Sequence, residues 1–226
     1  MAHHNQLKAS AIHAQSRLFF GGSFDPVHLG HIQLPAMIAD AIDAQIVVYV
    51  PAAQSPHKST RPTADNHRIS MLNIATRQTP QSTIWTAELA RNQSNQTNEP
   101  SYWADTWKQA LEACPLGQNR FLIGADQALS MHRWMRYQEF WRDAVVMLRA
   151  GNETLDHLIT RLQELNVWTK DNIEHWRSLI IETDQIDVSS SEIRASLADP
   201  NLRNTCPNGL DEQVYAYIIE QDLYRS

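Results

Sequence analysis

Short apolar runs alternate along this chain with longer stretches of helical spacing. Two runs near the start, Arg17–Phe20 and Gln45–Val50, predict strands. The second is apolar and β-branched on both faces, as is typical of a central parallel strand. Similar runs predict further strands at Thr83–Thr86, Arg120–Ile123, Ala144–Leu148 and Leu179–Glu182.

Helical spacing of apolar residues separates the predicted strands. Asp65 is predicted to cap one helix, and Ser189 with Glu192 three residues later is a capping-box pattern that predicts another helix start. The apolar stripe of the first helix consists of Leu29, Ile32, Met37 and Ile38, with Pro35 inside it. The other helices are predicted at 101–113, 155–165 and 212–223.

Strands that alternate with helices predict an α/β fold with a doubly wound, mostly parallel sheet and right-handed crossovers. The expected organisation is a loose N-terminal tail over 1–16, an α/β core over 17–186 and a small C-terminal helical portion over 187–226. The tail is polar and lacks the apolar core of a signal peptide. In such sheets ligands bind outside the carboxyl ends of the strands, so a functional site is expected there.

Composition and charge exclude several classes of protein. The net charge of −6 argues against a partner of long nucleic acid, so any anion site must be local. No apolar run is long enough to span a membrane. The two cysteines, Cys114 and Cys206, lie far apart and form no CxxC, which excludes a disulfide-dense scaffold and predicts a reducing cytoplasm.

Glycines, a carboxylate and two imidazoles are concentrated in the segment from Gly21 to His31, at a predicted junction of strand and helix. His28 and His31 are three residues apart, so they share one face of the first helical turn, where the helix dipole favours anions. This arrangement predicts a phosphate site. Two alternatives stay open, a glycine turn with partly exposed histidines and a transition-metal site of the two histidines with Asp25.

The segment GGSFDPVHLGH resembles the GxFDPxHxGH signature of the HxGH nucleotidyltransferase superfamily. Further along the chain, the order and spacing of other segments resemble the bacterial nicotinate-nucleotide adenylyltransferases within that superfamily. These segments are Ser55–Lys58, Arg68 with Met71 and Leu72, Glu88–Arg91, Ser101–Tyr102, Phe121–Asp126, Trp134, Ser189–Arg194 and Gln221–Arg225.

The resemblance implies adenylyl transfer from ATP to nicotinate mononucleotide, which gives nicotinate adenine dinucleotide and pyrophosphate in NAD biosynthesis. It implies Mg²⁺ as the divalent cation, held largely by the substrate phosphates, with Asp126 reaching it through water. The acceptor phosphate is already anionic and attacks directly, so catalysis reduces to positioning and charge stabilisation.

The resemblance also implies roles for individual residues. His28, His31 and Arg194 are the implied catalytic residues. The implied ATP site comprises Gly21, Gly22, Ser23, Phe24, His28, Gly30, His31, Gly124, Asp126, Ser189, Ser190, Ser191 and Arg194. The implied acceptor site comprises Asp25, His57, Lys58, Tyr102, Trp103, Trp134 and Met135.

Some residues depart from the family pattern, and these departures leave alternatives open. Trp103 replaces a small hydroxyl residue and Met135 an aromatic residue, both where the family binds the nicotinate carboxylate. A nicotinamide-mononucleotide or other small-molecule adenylyltransferase is therefore the alternative within this fold. From other classes, a catalytically silent nucleotide-binding regulator and a divalent-metal hydrolase are also considered, and a homo-oligomer is left open.

Overall fold

The computed structural model describes residues 6–53, 62–94, 101–149, 151, 153–184 and 186–225. Six parallel strands form one sheet in these residues. The strands are β1 Ser16–Gly22, β2 Ile46–Pro51, β3 Ser82–Ile84, β4 Gln118–Gly124, β5 Ala144–Arg149 and β6 Ile180–Thr183. Their order is β3-β2-β1-β4-β5-β6. Strands β2 and β3 lie on one side of β1 and strands β4 to β6 on the other, so the strand order reverses between β1 and β4. The predicted doubly wound α/β sheet is confirmed.

Helices cover both faces of the sheet. They are α1 Ala9–His13, α2 Leu29–Ala41, α3 Asp65–Ala75, α4 Ala87–Ser94, α5 Trp103–Ala113, α6 Ala125–Ser130, α7 Leu155–Glu164, α8 Lys170–Leu179, α9 Ser190–Ala198 and α10 Glu212–Glu220. Three short 3₁₀ turns, between Met131 and Asp143, connect α6 to β5. The predicted helix start with Ser189 as N-cap is confirmed, because its side chain accepts the Glu192 N–H at 3.2 Å.

Alternate residues of the central strands enter two separate cores. Phe19 of β1 packs with α1, α5, α7 and α8 on one face, whereas Leu18 packs with α2, α3, α9 and α10 on the other. Both side chains are fully buried, which is why the strand reads as a continuous apolar run. The sheet is therefore a rigid base from which loops at the carboxyl ends of the strands project.

Two local predictions about helices were wrong. Leu29 and Met37 are exposed on α2, because Leu34 and Ile38 form the face that packs on the sheet. Asp65 does not cap α3: the residue before the helix is Ala64, and the Asp65 carboxylate pairs with Arg68 instead. In both cases tertiary contacts decide between faces or partners that the local pattern leaves equal.

The structure differs from the prediction of a loose tail over 1–16. Leu7 and Ala11 are buried, and residues 9–13 form α1 against the sheet. The physical reason is Arg17, which is 1% exposed and donates to the carbonyl groups of Ala11, Ile12 and Ala14. A buried guanidinium needs acceptors, and this part of the chain supplies them.

The C-terminal helices pack into the same core as the sheet, since Ile193, Leu197 and Val214 lie in one cluster with Leu18. The division at 186/187 stays a prediction. Cys114 and Cys206 are free thiols. In the described residues no helix has the length and apolar character needed to cross a bilayer.

Candidate active site

The glycine and histidine segment lies at the carboxyl end of β1, next to the point where the strand order reverses. β1 ends at Gly22, the chain turns through Phe24 with a φ of 50°, and α2 begins at Leu29. His28 is the residue before α2 and His31 lies in its first turn. The predicted placement of both imidazoles at one helix start is therefore what the structure shows.

The two imidazole rings stack, with centroids 3.7 Å apart and planes inclined by 24°. The His28 backbone N–H donates to His31 Nδ1 at 3.3 Å, so a neutral His31 carries its proton on Nε2. The ring of buried Phe24 lies edge-on to His31 at 5.2 Å. Gly30 permits this packing, because a Cβ there would lie 3.2 Å from both the His28 ring and Val188. The His31 ring is therefore held in one orientation.

His28 is 6% exposed, and its Nδ1 has no hydrogen-bond partner among the described residues. Burial, together with a smaller effect of the positive charge of Arg149, lowers the pKa of His28 to about 4. His28 is therefore neutral at pH 7. His28 is buried, whereas its stacked partner His31 is half-buried. His31 is therefore the ring of the pair that is more accessible to a ligand.

The buried His28 predicts a pH-dependent stability. Between its ordinary pKa of 6.5 and its native value of about 4, the unfolded chain binds a proton that the native ring does not. The free energy of unfolding should therefore fall as the pH is lowered through this window, by about 3 kcal/mol in total from this group. Urea unfolding of wild type and His28→Gln at several pH values measures it. The prediction is wrong if both proteins lose the same free energy on acidification.

The start of α9 is bonded to the same loop. Arg194 Nη1 donates to the Asp25 carbonyl at 2.6 Å, and the Ser190 hydroxyl donates to the Pro26 carbonyl at 2.9 Å. Arg194 Nη2 also donates to the Ser191 hydroxyl at 3.2 Å. The structure thus brings the predicted catalytic residues, two histidines and Arg194, to one loop although they are far apart in sequence.

A cavity of about 390 Å³ opens beside this loop. Four of the residues predicted for the acceptor line it, namely Tyr102, Trp103, Trp134 and Met135. Gly21, Gly22 and Ser23 also line it. The Trp103 indole lies so close to β1 that a Cβ at Gly21 would be 2.9 Å from it. The lining of the cavity is rich in aromatic residues, and Ser23 connects it to the histidine loop.

Other predicted site residues lie elsewhere. The Phe24 side chain is 1% exposed, so its ring supports His31 and is covered from an ATP molecule. Asp25 is not among the residues that line the acceptor cavity, because its carboxylate accepts from Tyr224 O–H at 2.6 Å and Thr63 N–H at 3.2 Å. His57 and Lys58 fall outside the described residues.

The carboxyl end of β4 places Gly124 and Asp126 at the start of α6. Asp126 is exposed, and the Gly124 N–H donates to the Gln127 side chain at 3.0 Å. Across the described residues, no group of three or more His, Cys, Asp or Glu side chains is placed to hold a metal ion. One exposed carboxylate next to the site is a donor that suits a hydrated Mg²⁺ carried by phosphates.

Sequence analysis missed a buried carboxyl group in the acceptor cavity. Glu88 is 6% exposed and accepts from the Thr106 hydroxyl at 2.9 Å. Burial raises the pKa of Glu88, against the opposing effects of Thr106 and the Arg91 charge. The Arg91 guanidinium donates to the side chains of Gln109, Ser101 and Thr106. In the sequence, the three-residue spacing of Glu88 and Arg91, which places both on one helix face, could have indicated this buried polar group.

The roles of two cations were also missed. Arg149 follows the apolar run of β5 at the carboxyl edge of the sheet, and its charge acts on His28. The position of Arg149 directly after a run of buried strand residues could have indicated a cation at this edge of the sheet. Arg68 is fully buried and donates to the Ser23 carbonyl at 2.8 Å, so it stabilises the loop that follows β1.

Comparison with known proteins agrees with this geometry. The family model described as cytidylyltransferase-like matches residues 19–196. A relative from Carboxydothermus hydrogenoformans, named a probable nicotinate-nucleotide adenylyltransferase, is 30% identical over 210 residues, which cover 91% of this chain and 96% of the relative. A relative of the same name from Neisseria meningitidis is 28% identical over 207 residues, with the same coverage of both chains.

Solved structures show the same fold. Plasmodium falciparum nicotinic acid mononucleotide adenylyltransferase complexed with APC aligns with a TM-score of 0.66 at 18% identity, over 93% of this chain and 97% of the other. The same enzyme complexed with NaAD aligns with a TM-score of 0.64 at 20% identity, with the same coverage. With the family match and the 30% relative, the chain belongs to the cytidylyltransferase-like family and, within it, to the nicotinate-nucleotide adenylyltransferases.

Proposed function

We propose that the protein transfers the adenylyl group of ATP to nicotinate mononucleotide, giving nicotinate adenine dinucleotide and pyrophosphate for NAD biosynthesis in the cytoplasm. The observation that carries the proposal is the meeting of the stacked His28–His31 pair with Arg194 at one loop, beside an aromatic cavity. The names of the relatives and the ligands bound by the structural neighbours support the same reaction.

The cavity suits the acceptor. Its volume of about 390 Å³ is in the range of small-molecule sites, and indole faces are good partners for a pyridine ring. Trp134 is half-buried and lines the cavity, so its indole is placed to contact a ligand there. The phosphate of the mononucleotide would then extend towards Ser23 and the histidine loop, where ATP is expected.

The reaction needs little proton transfer. A phosphate oxygen of the acceptor bonds to the α-phosphorus of ATP, while the bond from that phosphorus to pyrophosphate breaks and pyrophosphate leaves as an anion. Negative charge grows on the phosphoryl oxygens, so fixed donors and cations lower the barrier. The His31 Nε2–H, the Arg194 guanidinium and the amino-terminal end of α2 supply them.

Mg²⁺ fits this site as an ion carried by ATP. When bound, it would neutralise charge on the triphosphate, and Asp126 is the carboxylate placed to hold its water ligands. The residues of the chain then orient the two substrates. His57 and Lys58 stay predicted phosphate ligands.

Comparing turnover of nicotinate mononucleotide and nicotinamide mononucleotide with ATP tests the substrate. We expect the acid to be preferred, by about tenfold or more in kcat/KM. A specific observation favours the amide as the second candidate, because an ionised Glu88 in the cavity would accept from an amide and repel a carboxylate. Preference for the amide would overturn the substrate assignment. Absence of pyrophosphate release with either acceptor would instead indicate a nucleotide-binding regulator.

Trp134→Ala should weaken acceptor binding and spare ATP. Loss of a stacking indole costs about 1 to 2 kcal/mol, so the KM for the mononucleotide should rise roughly tenfold. The KM for ATP, measured with saturating acceptor, should change by less than about twofold. Equal increases for both substrates would contradict a stacking role. Trp168→Phe is the matched control, since Trp168 packs against Trp141 away from the cavity.

A further inference from the structure

The Asp25 side chain and backbone are bonded to three distant parts of the chain. Its carboxylate accepts the Tyr224 O–H on one oxygen and the Thr63 N–H on the other, at 2.6 and 3.2 Å. Its backbone carbonyl accepts Arg194 Nη1 at 2.6 Å. The carbonyl, and not the carboxylate, is therefore the group of Asp25 that the Arg194 guanidinium bonds.

This choice of partner is electrostatically unusual. A hydrogen bond between a guanidinium and a carboxylate adds the attraction between two opposite charges, which a bond to a neutral oxygen lacks. Within the described part of the chain, the hydrogen bonds of Arg194 go to neutral oxygens, the Asp25 carbonyl and the Ser191 hydroxyl. A carboxylate belonging to the same residue as the bonded carbonyl would be a better acceptor if it were free to turn. The Tyr224 hydroxyl on one oxygen and the Thr63 N–H on the other hold that carboxylate in its present orientation.

The Tyr224 hydroxyl is held in place by its own surroundings. Arg203 donates to the Leu223 carbonyl at 2.8 Å and pairs with Asp222 at 3.3 Å. Arg203 is itself buried. Asp222 and Tyr224 both have positive φ, 52° and 58°, a conformation that non-glycine residues keep only where other contacts fix it. The end of the chain is thus built to present one hydroxyl to Asp25.

We propose that Tyr224 is a positioning residue that keeps the Asp25 carboxylate turned away from Arg194, so that the guanidinium stays available to the triphosphate of ATP. The inference rests on the proposed function, which places ATP phosphates at Arg194. Without the Tyr224 hydroxyl, the carboxylate turns, pairs with Arg194 and competes with ATP. The effect is therefore specific for ATP and leaves the acceptor cavity unchanged.

Tyr224→Phe tests the proposal through ATP binding, measured by titration calorimetry without acceptor. We expect the Kd for ATP to rise about fivefold or more, and the Kd for nicotinate mononucleotide to change by less than about twofold. Tyr215→Phe and Tyr217→Phe are matched controls. Each removes one hydroxyl of the same C-terminal region, bonded to the Arg203 carbonyl at 2.7 Å or to His67 Nδ1 at 2.8 Å. Both should bind ATP within about twofold of wild type.

A second substitution separates positioning from a general loss of order. In Asp25→Asn the side chain cannot form an ion pair with Arg194. Adding Tyr224→Phe to Asp25→Asn should then change the Kd for ATP by less than about twofold, in contrast to its effect in wild type. Equal effects of Tyr224→Phe in both backgrounds, or equal losses for ATP and acceptor, would overturn the proposal.

The outcomes distinguish this inference from the proposed function. If wild type binds ATP and releases pyrophosphate with neither mononucleotide, the proposed function fails while the comparison of variants still decides the role of Tyr224. If wild type turns over normally and Tyr224→Phe binds ATP as tightly as wild type, the inference about Tyr224 fails alone.

Discussion

His31→Ala is expected to lower the turnover number by about 100-fold or more, because a preorganised donor to a developing phosphoryl charge contributes about 3 kcal/mol or more. The structure supports a preorganised role: the His28 N–H holds Nδ1 at 3.3 Å and the Phe24 ring holds the imidazole edge-on. Steady-state kinetics with saturating ATP and acceptor measure the effect. The KM values should change much less than kcat, since the charge is largest in the transition state.

His157→Ala is the control for this experiment, because His157 is exposed on α7, where its ring lies 3.2 Å from the Glu153 carboxylate. Its turnover number should match that of wild type. His31→Gln, which keeps an N–H donor of similar length, should retain more activity than His31→Ala. A turnover number of His31→Ala close to that of wild type would remove His31 from the mechanism, and equal melting temperatures would show that loss of fold is not the cause of a decrease.

Local patterns predicted the parts of the fold in which neighbouring residues decide the outcome. The run Gln45–Val50 is apolar on both faces and forms β2, with all of its described residues from Ile46 buried. The hydroxyl of Ser189 accepts the N–H of Glu192, as expected of the residue that caps a helix start. The position of His28 and His31 at a helix start could also be predicted, because it depends on local features, the three-residue spacing and the preceding glycine turn.

The features that were missed depend on contacts between residues far apart in the chain. Tyr224 meets Asp25 across 199 positions, and Arg68 meets Ser23 across 45. The segment before β1 is polar by composition, and the acceptors that it supplies to buried Arg17, together with buried Leu7 and Ala11, explain why it packs. No local periodicity reports such pairings, because each partner taken alone is compatible with a solvated side chain.

Arg68 shows how large such a long-range contribution is expected to be. It is fully buried in α3 and donates to the Thr63 carbonyl at 3.0 Å, the Ser23 carbonyl at 2.8 Å and the Asp65 carboxylate at 2.5 Å. Arg68→Met retains most of the side-chain volume but removes the guanidinium donors from these three acceptors. The free energy of unfolding should fall by about 3 to 5 kcal/mol.

Urea unfolding and thermal melting measure this loss, and the melting temperature should fall by roughly 10 °C. Arg77→Met is the matched control: Arg77 is exposed just after α3, and its replacement should change the free energy by less than about 0.5 kcal/mol. Arg68→Lys keeps the charge but cannot direct donors to three separate acceptors, so its stability should lie between wild type and Arg68→Met. Equal stabilities of Arg68→Met and Arg77→Met would show that the loop at Ser23 is held without the buried guanidinium.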